Sequence, residues 1–382
     1  MPHVVHVLTV PESLAFLRGQ AGFMRGRGYE LTVVTSPGPG LEAFAEREKV
    51  PFHAVPMPRR ISPGQDAKSL AALVALLRRL RPDIVHAHTP KGGLLGMIAA
   101  SLARVPARIY HMRGLPLVTA HGVQRAILTA TERTSCALAS RVIAVSSSLR
   151  DVAIAEHLTS RKKITVLAGG SGNGIDCDRF DPTRVGPEVG PALRAKLGIA
   201  ADAFVIGFVG RLVGDKGVGE LARAFAELKP QHPNAHLVLA GVFEERDAVP
   251  EETRRALEQD PRVHLLGYLE DTASLYAAID VLALPTYREG FPNVPLEAAA
   301  MEVPVVATRV PGCVDAVVDG ETGLLVPARD SGALARALHT YLADPALRRA
   351  HGLAARARVQ VSFRRERIWE ALAGVYDELL TS

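Results

Sequence analysis

The 382 residues are 48% hydrophobic and 22% charged, with 33 glycines and 26 prolines, an ordinary globular composition that excludes wholesale disorder and low-complexity character. The length suits two domains of about 150–200 residues each. The net charge of +5 conceals two opposed balances: residues 1–185 hold 24 Lys and Arg against 13 Asp and Glu, or +11, and residues 186–382 hold 21 against 27, or −6, so different partners are expected for the two halves.

The first half repeats one unit: a short apolar run, a turn, then a helical stretch. Residues 4–9 (VVHVLT) read as a buried strand, and 13–26 (SLAFLRGQAGFMRG) as a helix with apolar residues at helical spacing. Strands follow at 30–36 and 52–55, a short helix at 41–48 and an amphipathic helix at 68–80. Residues 83–88 (DIVHAH), 108–111 and 142–146 continue the strands. Between residues 169 and about 201 the periodicity gives way to glycine and proline chemistry, beginning with GGSGNGID. A second alternation has strands at 205–209, 237–241, 263–267, 281–285, 305–308 and 323–326, with helices including 220–228 and 296–301. The chain closes on an amphipathic helix at 364–380, where Trp369 and Tyr376 read as packing residues. This rhythm implies an α/β fold of two doubly wound, Rossmann-like domains facing a cleft. The expected division is 1–185, 186–363, and a helix at 364–382 packing back toward the N-terminal domain.

Cys136, Cys177 and Cys313 are scattered and odd in number, which argues against a disulfide framework or structural zinc and suits a reducing cytosol. The N-terminus lacks the features of a signal peptide. The longest mostly apolar run, 92–103, falls short of the roughly 20 residues of a membrane span. A cytoplasmic protein is expected, with peripheral contact at the inner face of the cell membrane left open.

Two constellations carry chemistry. Glu289-Gly290-Phe291-Pro292-Asn293-Val294-Pro295-Leu296-Glu297 follows the strand at 281–285. Asn293 is placed to cap a helix with Pro295 in its first turn, and backbone N–H groups of Asn293 and Val294 would face a diphosphate. Glu289 on the loop and Glu297 in the first helical turn would accept hydrogen bonds from sugar hydroxyls at either end. The second is Gly207-Phe-Val-Gly-Arg-Leu-Val-Gly-Asp-Lys-Gly217, where Arg211 ends a strand and Lys216 lies in the loop before a helix. Cations beside glycines suit pyrophosphate, and the order of a Walker loop is absent.

Together these residues resemble retaining nucleotide-sugar glycosyltransferases of the GT-B fold, in particular family 4, over nearly the whole chain. The resemblance implies that Arg211 and Lys216 bind the donor diphosphate, Glu297 the ribose hydroxyls and Glu289 the transferred sugar. It implies that the backbone of Gly290, Phe291, Pro292, Asn293 and Val294 wraps the sugar and distal phosphate, and that Gly267, Tyr268 and Leu269 read the nucleobase. Gly172-Asn173-Gly174-Ile175-Asp176 is similar to the family's interdomain loop. The stretches at 13–20, 86–93 and 113–116 resemble transferases of bacterial surface polysaccharides. The pattern departs twice: Pro11-Glu12-Ser13-Leu14 stands where many members have a Gly-Gly pair, with Ser13 as the substitute donor contact. Arg113, with His111 two residues earlier, stands where many have a histidine near the reacting sugar.

The implied activity is retaining transfer of a hexosyl or N-acetylhexosaminyl group, from a nucleotide diphosphate donor of UDP type, to a glycan or polyprenyl-diphosphate-linked saccharide. The N-terminal domain would bind the acceptor, with His88, Thr89, Lys91 and Asn173 on that side. His86 and His88 form an H-x-H that lacks a third ligand in the sequence. No Asp-x-Asp motif of the metal-dependent fold stands out, so neither metal nor cofactor is expected. Leu14, Phe16, Leu17, Phe23 and Met24, interleaved with Arg18, Arg25 and Arg27, suggest docking to an anionic bilayer. A GT-B sugar-nucleotide epimerase or phosphorylase is the alternative. A dinucleotide oxidoreductase would need an early G-x-G-x-x-G, and nucleic-acid binding has no recognition motif.

Overall fold

The computed structural model describes residues 1–381, which form two compact units, Met1–Gly174 together with Arg365–Thr381, and Ile175–Arg364. Residues 175–185, expected in the first domain, belong to the second unit.

The first unit is built on a parallel sheet of seven strands: β1 (His3–Val7), β2 (Glu30–Thr35), β3 (Phe52–Ala54), β4 (Ile84–His88), β5 (Ala107–Met112), β6 (Arg141–Ala144) and β7 (Ile164–Val166). Their order is β3-β2-β1-β4-β5-β6-β7. Strand β4 is buried along its whole length, as helices on both faces of a parallel sheet require, so it reads as a run and not as an alternation. The order reverses between β1 and β4, and the carboxyl ends of strands at such a switch point are where doubly wound folds place ligands. The core joins Val4, Leu14, Leu17 and Met24 to Ile368, Trp369, Leu372 and Tyr376 of the last helix, Arg365–Thr381.

The expected helix at 13–26 is two pieces, a 3-10 helix Pro11–Leu17 and an α-helix Gln20–Gly26. Gly19 separates them at φ +78, a left-handed conformation that turns the chain. That turn sends Leu14, Leu17 and Met24 into the core, and Phe23 packs against it. The arginines are also engaged: Arg25 donates to the carbonyls of Glu48 and Lys49, and Arg27 pairs with Glu370. Of the apolar residues expected to meet a bilayer, Leu14, Leu17 and Met24 therefore lie inside the domain, whereas Phe16 and Phe23 are half-buried and Arg18 is exposed. Among the described residues no helix is long and apolar enough to cross a membrane.

The second unit repeats the architecture with six parallel strands, β8 (Phe204–Val209), β9 (Ala235–Ala240), β10 (Val263–Gly267), β11 (Val281–Leu284), β12 (Val305–Thr308) and β13 (Gly323–Val326), in the order β10-β9-β8-β11-β12-β13. Its switch point lies between β8 and β11. Phe208, Leu221, Phe225, Leu338 and Tyr341 form part of its core, drawn from β8 and the helices Val218–Leu228 and Ser331–Ala343.

Candidate active site

In the second unit the two sequence constellations meet at the carboxyl ends of β8 and β11. The chain leaves β8 through Arg211 and forms a 3-10 turn, Gly214–Lys216. Gly217 follows at φ +70, where a Cβ would lie 2.0 Å from the Pro285 carbonyl oxygen just beyond β11. Only glycine fits there, and its approach presses the two loops together. Hydrogen bonds then stitch them: Tyr287 N–H donates to the Asp215 carbonyl (2.8 Å), and the Thr286 hydroxyl reaches the carbonyls of Asp215 (3.2 Å) and Arg288 (3.1 Å). Arg288 pairs with the Asp215 carboxylate at 2.7 Å.

The consequence is that the Lys216 ammonium donates directly to Glu289, both side chains being mostly buried. Arg211 lies on the exposed rim and pairs with Glu244 at 3.1 Å. The helix after the loop is Asn293–Ala300, and its N-cap is Pro292, with no side-chain cap bond. Asn293 is thus the first helical residue and not the cap, because Pro292 already has the extended conformation a cap needs. Glu297 is the fifth residue, in the second turn and not the first, and its carboxylate accepts from the Tyr276 hydroxyl at 2.9 Å. Gly290, Phe291 and Pro292 are buried, Phe291 resting on Phe363 at 5.5 Å, whereas Asn293 and Val294 are half-buried. Gly267 ends β10, Leu269 is half-buried, and the Tyr268 side chain is 79% exposed. The sequence reading missed Asp215, Thr286 and Arg288; the only hint was their position just past two strands.

In the first unit the predicted residues cluster at the ends of β1, β4 and β5. His6, His86, His88 and His111 are buried on three adjacent strands. Half-buried Arg113 donates through Nε to His88 Nδ1 (3.2 Å). A neutral His88 must then carry its proton on Nε2, which donates to His6 Nδ1 at 2.9 Å. His86 bonds to the Tyr376 hydroxyl (2.7 Å) and to His111 (3.1 Å). Burial, with the Arg113 charge adding to it, pushes His6 down to about 3 and His86, His88 and His111 well below the usual histidine range. Burial also pushes Arg113 down to about 9.

The four residues assigned to the acceptor side are tied up within this unit. Both ring nitrogens of His88 are used. Thr89 bonds to the Thr9 hydroxyl at 2.7 Å, Lys91 to Asp66 at 2.8 Å, and Asn173 to the Arg18 carbonyl and the Trp369 indole. Ser13 is half-buried in the first 3-10 helix. Thr89 has φ +67 and ψ 155, a region almost confined to glycine, which stores about 1–3 kcal/mol of strain at the switch point.

His6 supplies the third ring that the sequence lacked: His6, His86 and His88 bring ligand atoms within 4.8 Å of one another. They fit a divalent cation poorly, because both ring nitrogens of His88 are already used, by His6 and by Arg113, and the guanidinium places a positive charge beside the cluster. The chain does contain an Asp-x-Asp, Asp176-Cys177-Asp178, but it lies in a turn where Asp176 accepts from the N–H groups of Asp178 and Arg179, and Asp178 pairs with Arg184.

Two family models match, the glycosyl transferase 4-like domain over residues 2–170 and glycosyl transferases group 1 over 203–344. The capsular polysaccharide biosynthesis glycosyltransferase CapM of Staphylococcus aureus is 37% identical over 379 residues, covering 99% of this chain and 97% of that protein. The chain is a GT-B glycosyltransferase of family 4.

This glycosyltransferase is also 26% identical, over 84% of its length and 81% of the other, to the UDP-Gal:alpha-D-GlcNAc-diphosphoundecaprenol alpha-1,3-galactosyltransferase of Escherichia coli. Among solved structures, Anabaena HepE in complex with UDP-glucose superposes with a TM-score of 0.83 at 25% identity, covering 99% of this chain and all of that one. The two matched segments of the glycosyltransferase fall one in each compact unit.

Proposed function

We propose that this glycosyltransferase moves a hexosyl or N-acetylhexosaminyl group from a UDP-sugar, with retention of configuration, to a hydroxyl of a glycan or polyprenyl-diphosphate-linked saccharide in surface polysaccharide assembly. The carrying observation is the Lys216–Glu289 pair at the switch point of the second unit, a cation and a carboxylate held side by side by the stitched loops. The nature of the relatives supports the substrates: CapM is a capsular polysaccharide enzyme, the E. coli relative is named for a UDP-galactose donor and a diphosphoundecaprenol acceptor, and HepE was solved with UDP-glucose.

In this reading Lys216 and Arg211 hold the donor diphosphate, and Arg211 exchanges Glu244 for phosphate oxygen. Glu297 accepts from the ribose hydroxyls while Tyr276 fixes its carboxylate. Glu289 contacts the transferred sugar. The acceptor hydroxyl attacks the anomeric carbon on the face the diphosphate leaves, through an oxocarbenium-like transition state. The departing phosphate takes the hydroxyl proton, and Lys216 and Arg211 supply the positive charge that a divalent metal would otherwise bring to the diphosphate. The cations lower the barrier by stabilising charge that develops on the leaving group.

A thermal-shift screen against nucleotide sugars is the first test, since a ligand at 100 times its Kd stabilises by about 2.7 kcal/mol. UDP-sugars are expected to raise Tm, and no shift with any of them would sink the donor assignment. The anomeric configuration of the product, read by NMR, then tests retention. Donor epimerised without acceptor would favour the epimerase reading, and activity abolished by chelator would refute metal independence.

A further inference from the structure

Arg113 is a half-buried cation, and among the described residues it has no carboxylate partner. Its surroundings are basic or neutral. Nε and Nη2 face His88 Nδ1, Nη1 donates to the Gly172 carbonyl (3.0 Å), and the guanidinium stacks over the Phe16 ring at 4.5 Å. The neighbours behind His88 are three further imidazoles, which burial holds uncharged. Buried charges in proteins are normally paired; Arg194 pairs with Asp280 and Arg356 with Asp181, their side chains being comparably withdrawn from solvent.

The construction around it orients the group. Three contacts use one N–H on each guanidinium nitrogen, which leaves two of the five donors for a ligand. At Gly172 a Cβ would lie 2.3 Å from Nη1, so the loop carries glycine where the guanidinium needs room. His88 is locked as an acceptor toward Arg113 because its one N–H, on Nε2, is donated to His6, and so it offers no donor to an anion. The side chain stands just past β5, with strained Thr89 past neighbouring β4. The first unit has 24 Lys and Arg against 14 Asp and Glu, a balance of +10, which draws anions toward it.

We infer that Arg113 binds a phosphate-type oxyanion of a substrate. This rests on the proposed function for its sources, of which there are two: the diphosphate that links the acceptor saccharide to its lipid, and the donor diphosphate. The basic unit favours the acceptor. The planar guanidinium takes two phosphate oxygens at once, which lysine cannot.

The experiment uses the full chain and two readouts. In the first, inorganic pyrophosphate is titrated into an R211A/K216A variant, which lacks the second unit's phosphate cations. Stabilisation against thermal unfolding is expected to persist there and to vanish when R113Q is added. This assay needs no turnover, so it stands even where no sugar nucleotide proves to be a donor. In the second, R113Q and R113K are compared for UDP affinity and for KM toward a polyprenyl-diphosphate-linked saccharide and the same saccharide as a neutral glycoside. R113Q is expected to raise KM for the charged acceptor about 10–100-fold, the scale of a lost charge-assisted hydrogen bond, and R113K by less. KM for the neutral glycoside is expected to change by less than KM for the charged acceptor, so that the ratio of the two reads the loss of the anion contact. A fall in UDP affinity instead assigns the oxyanion to the donor. Pyrophosphate stabilisation unchanged by R113Q and R113K, with both acceptors equally affected, overturns the inference.

Discussion

Lys216 and Glu289 are 73 positions apart and derive their meaning from each other. Lys216→Ala removes the donor that meets charge growing on the leaving group. It is expected to lower kcat by about 10²–10³-fold, measured by steady-state kinetics, and also to lower Tm in thermal unfolding, because the mostly buried Glu289 is left unpaired. Near-normal turnover would remove Lys216 from the site. Glu297 makes a different prediction. Its carboxylate already accepts from Tyr276, so Glu297→Gln keeps the shape and loses only the charge offered to the ribose. UDP affinity is expected to fall by about tenfold in calorimetry, with the fold intact.

At the level of loops and strands, the second unit's site depends on one close approach. Gly217→Ala would force a Cβ against the Pro285 carbonyl and a left-handed conformation on alanine. Overpacking of this kind costs about 1–3 kcal/mol, so Tm is expected to fall by roughly 2–12 °C. UDP affinity should fall with it, because Lys216 is displaced from Glu289. The histidine patch on β1, β4 and β5 gives a pH dependence. Its members have depressed values when folded and the ordinary 6.5 when unfolded, so below that value the unfolded chain binds more protons. Stability is full above about pH 7. It is expected to drop by about 1.4 kcal/mol per pH unit for each neutral histidine as the pH falls through 6 toward 4. Thermal unfolding across that range reads the slope, and His6→Gln should make it shallower; a slope unchanged by the substitution would mean the patch is not its origin.

Over the whole chain, the two units differ in how they are assembled from the sequence. Ile175–Arg364 is continuous, whereas the first unit needs the helix Arg365–Thr381 to complete its core. The fragment 175–364 is therefore expected to fold cooperatively and to retain UDP binding. Residues 1–174 alone should be insoluble or lack a cooperative transition, since Ile368, Trp369, Leu372 and Tyr376 would be missing from the core. Circular dichroism and calorimetry of the two fragments decide this, and a cooperative 1–174 fragment would refute it.

The alternation of apolar runs and helical stretches was enough to read two parallel, helix-wrapped sheets, because a strand buried on both faces leaves an unbroken hydrophobic signature. The EGFPNVPLE and GRLVGDKG segments were legible for a related reason: loops after parallel strands take their position from the strand that precedes them. Other features depend on contacts between distant positions, which periodicity does not encode. The turn at Gly19 sent Leu14, Leu17 and Met24, expected to face a membrane, inward, and Asn293 lost the cap to Pro292. His88, read as acceptor-facing, proved to be locked between Arg113 and His6. The pairing of Lys216 with Glu289, and the lack of a carboxylate partner for Arg113 among the described residues, arise only when separate strand ends are brought side by side. A local pattern specifies which face of an element is buried, but the partners a charge finds there are set by packing across the sheet.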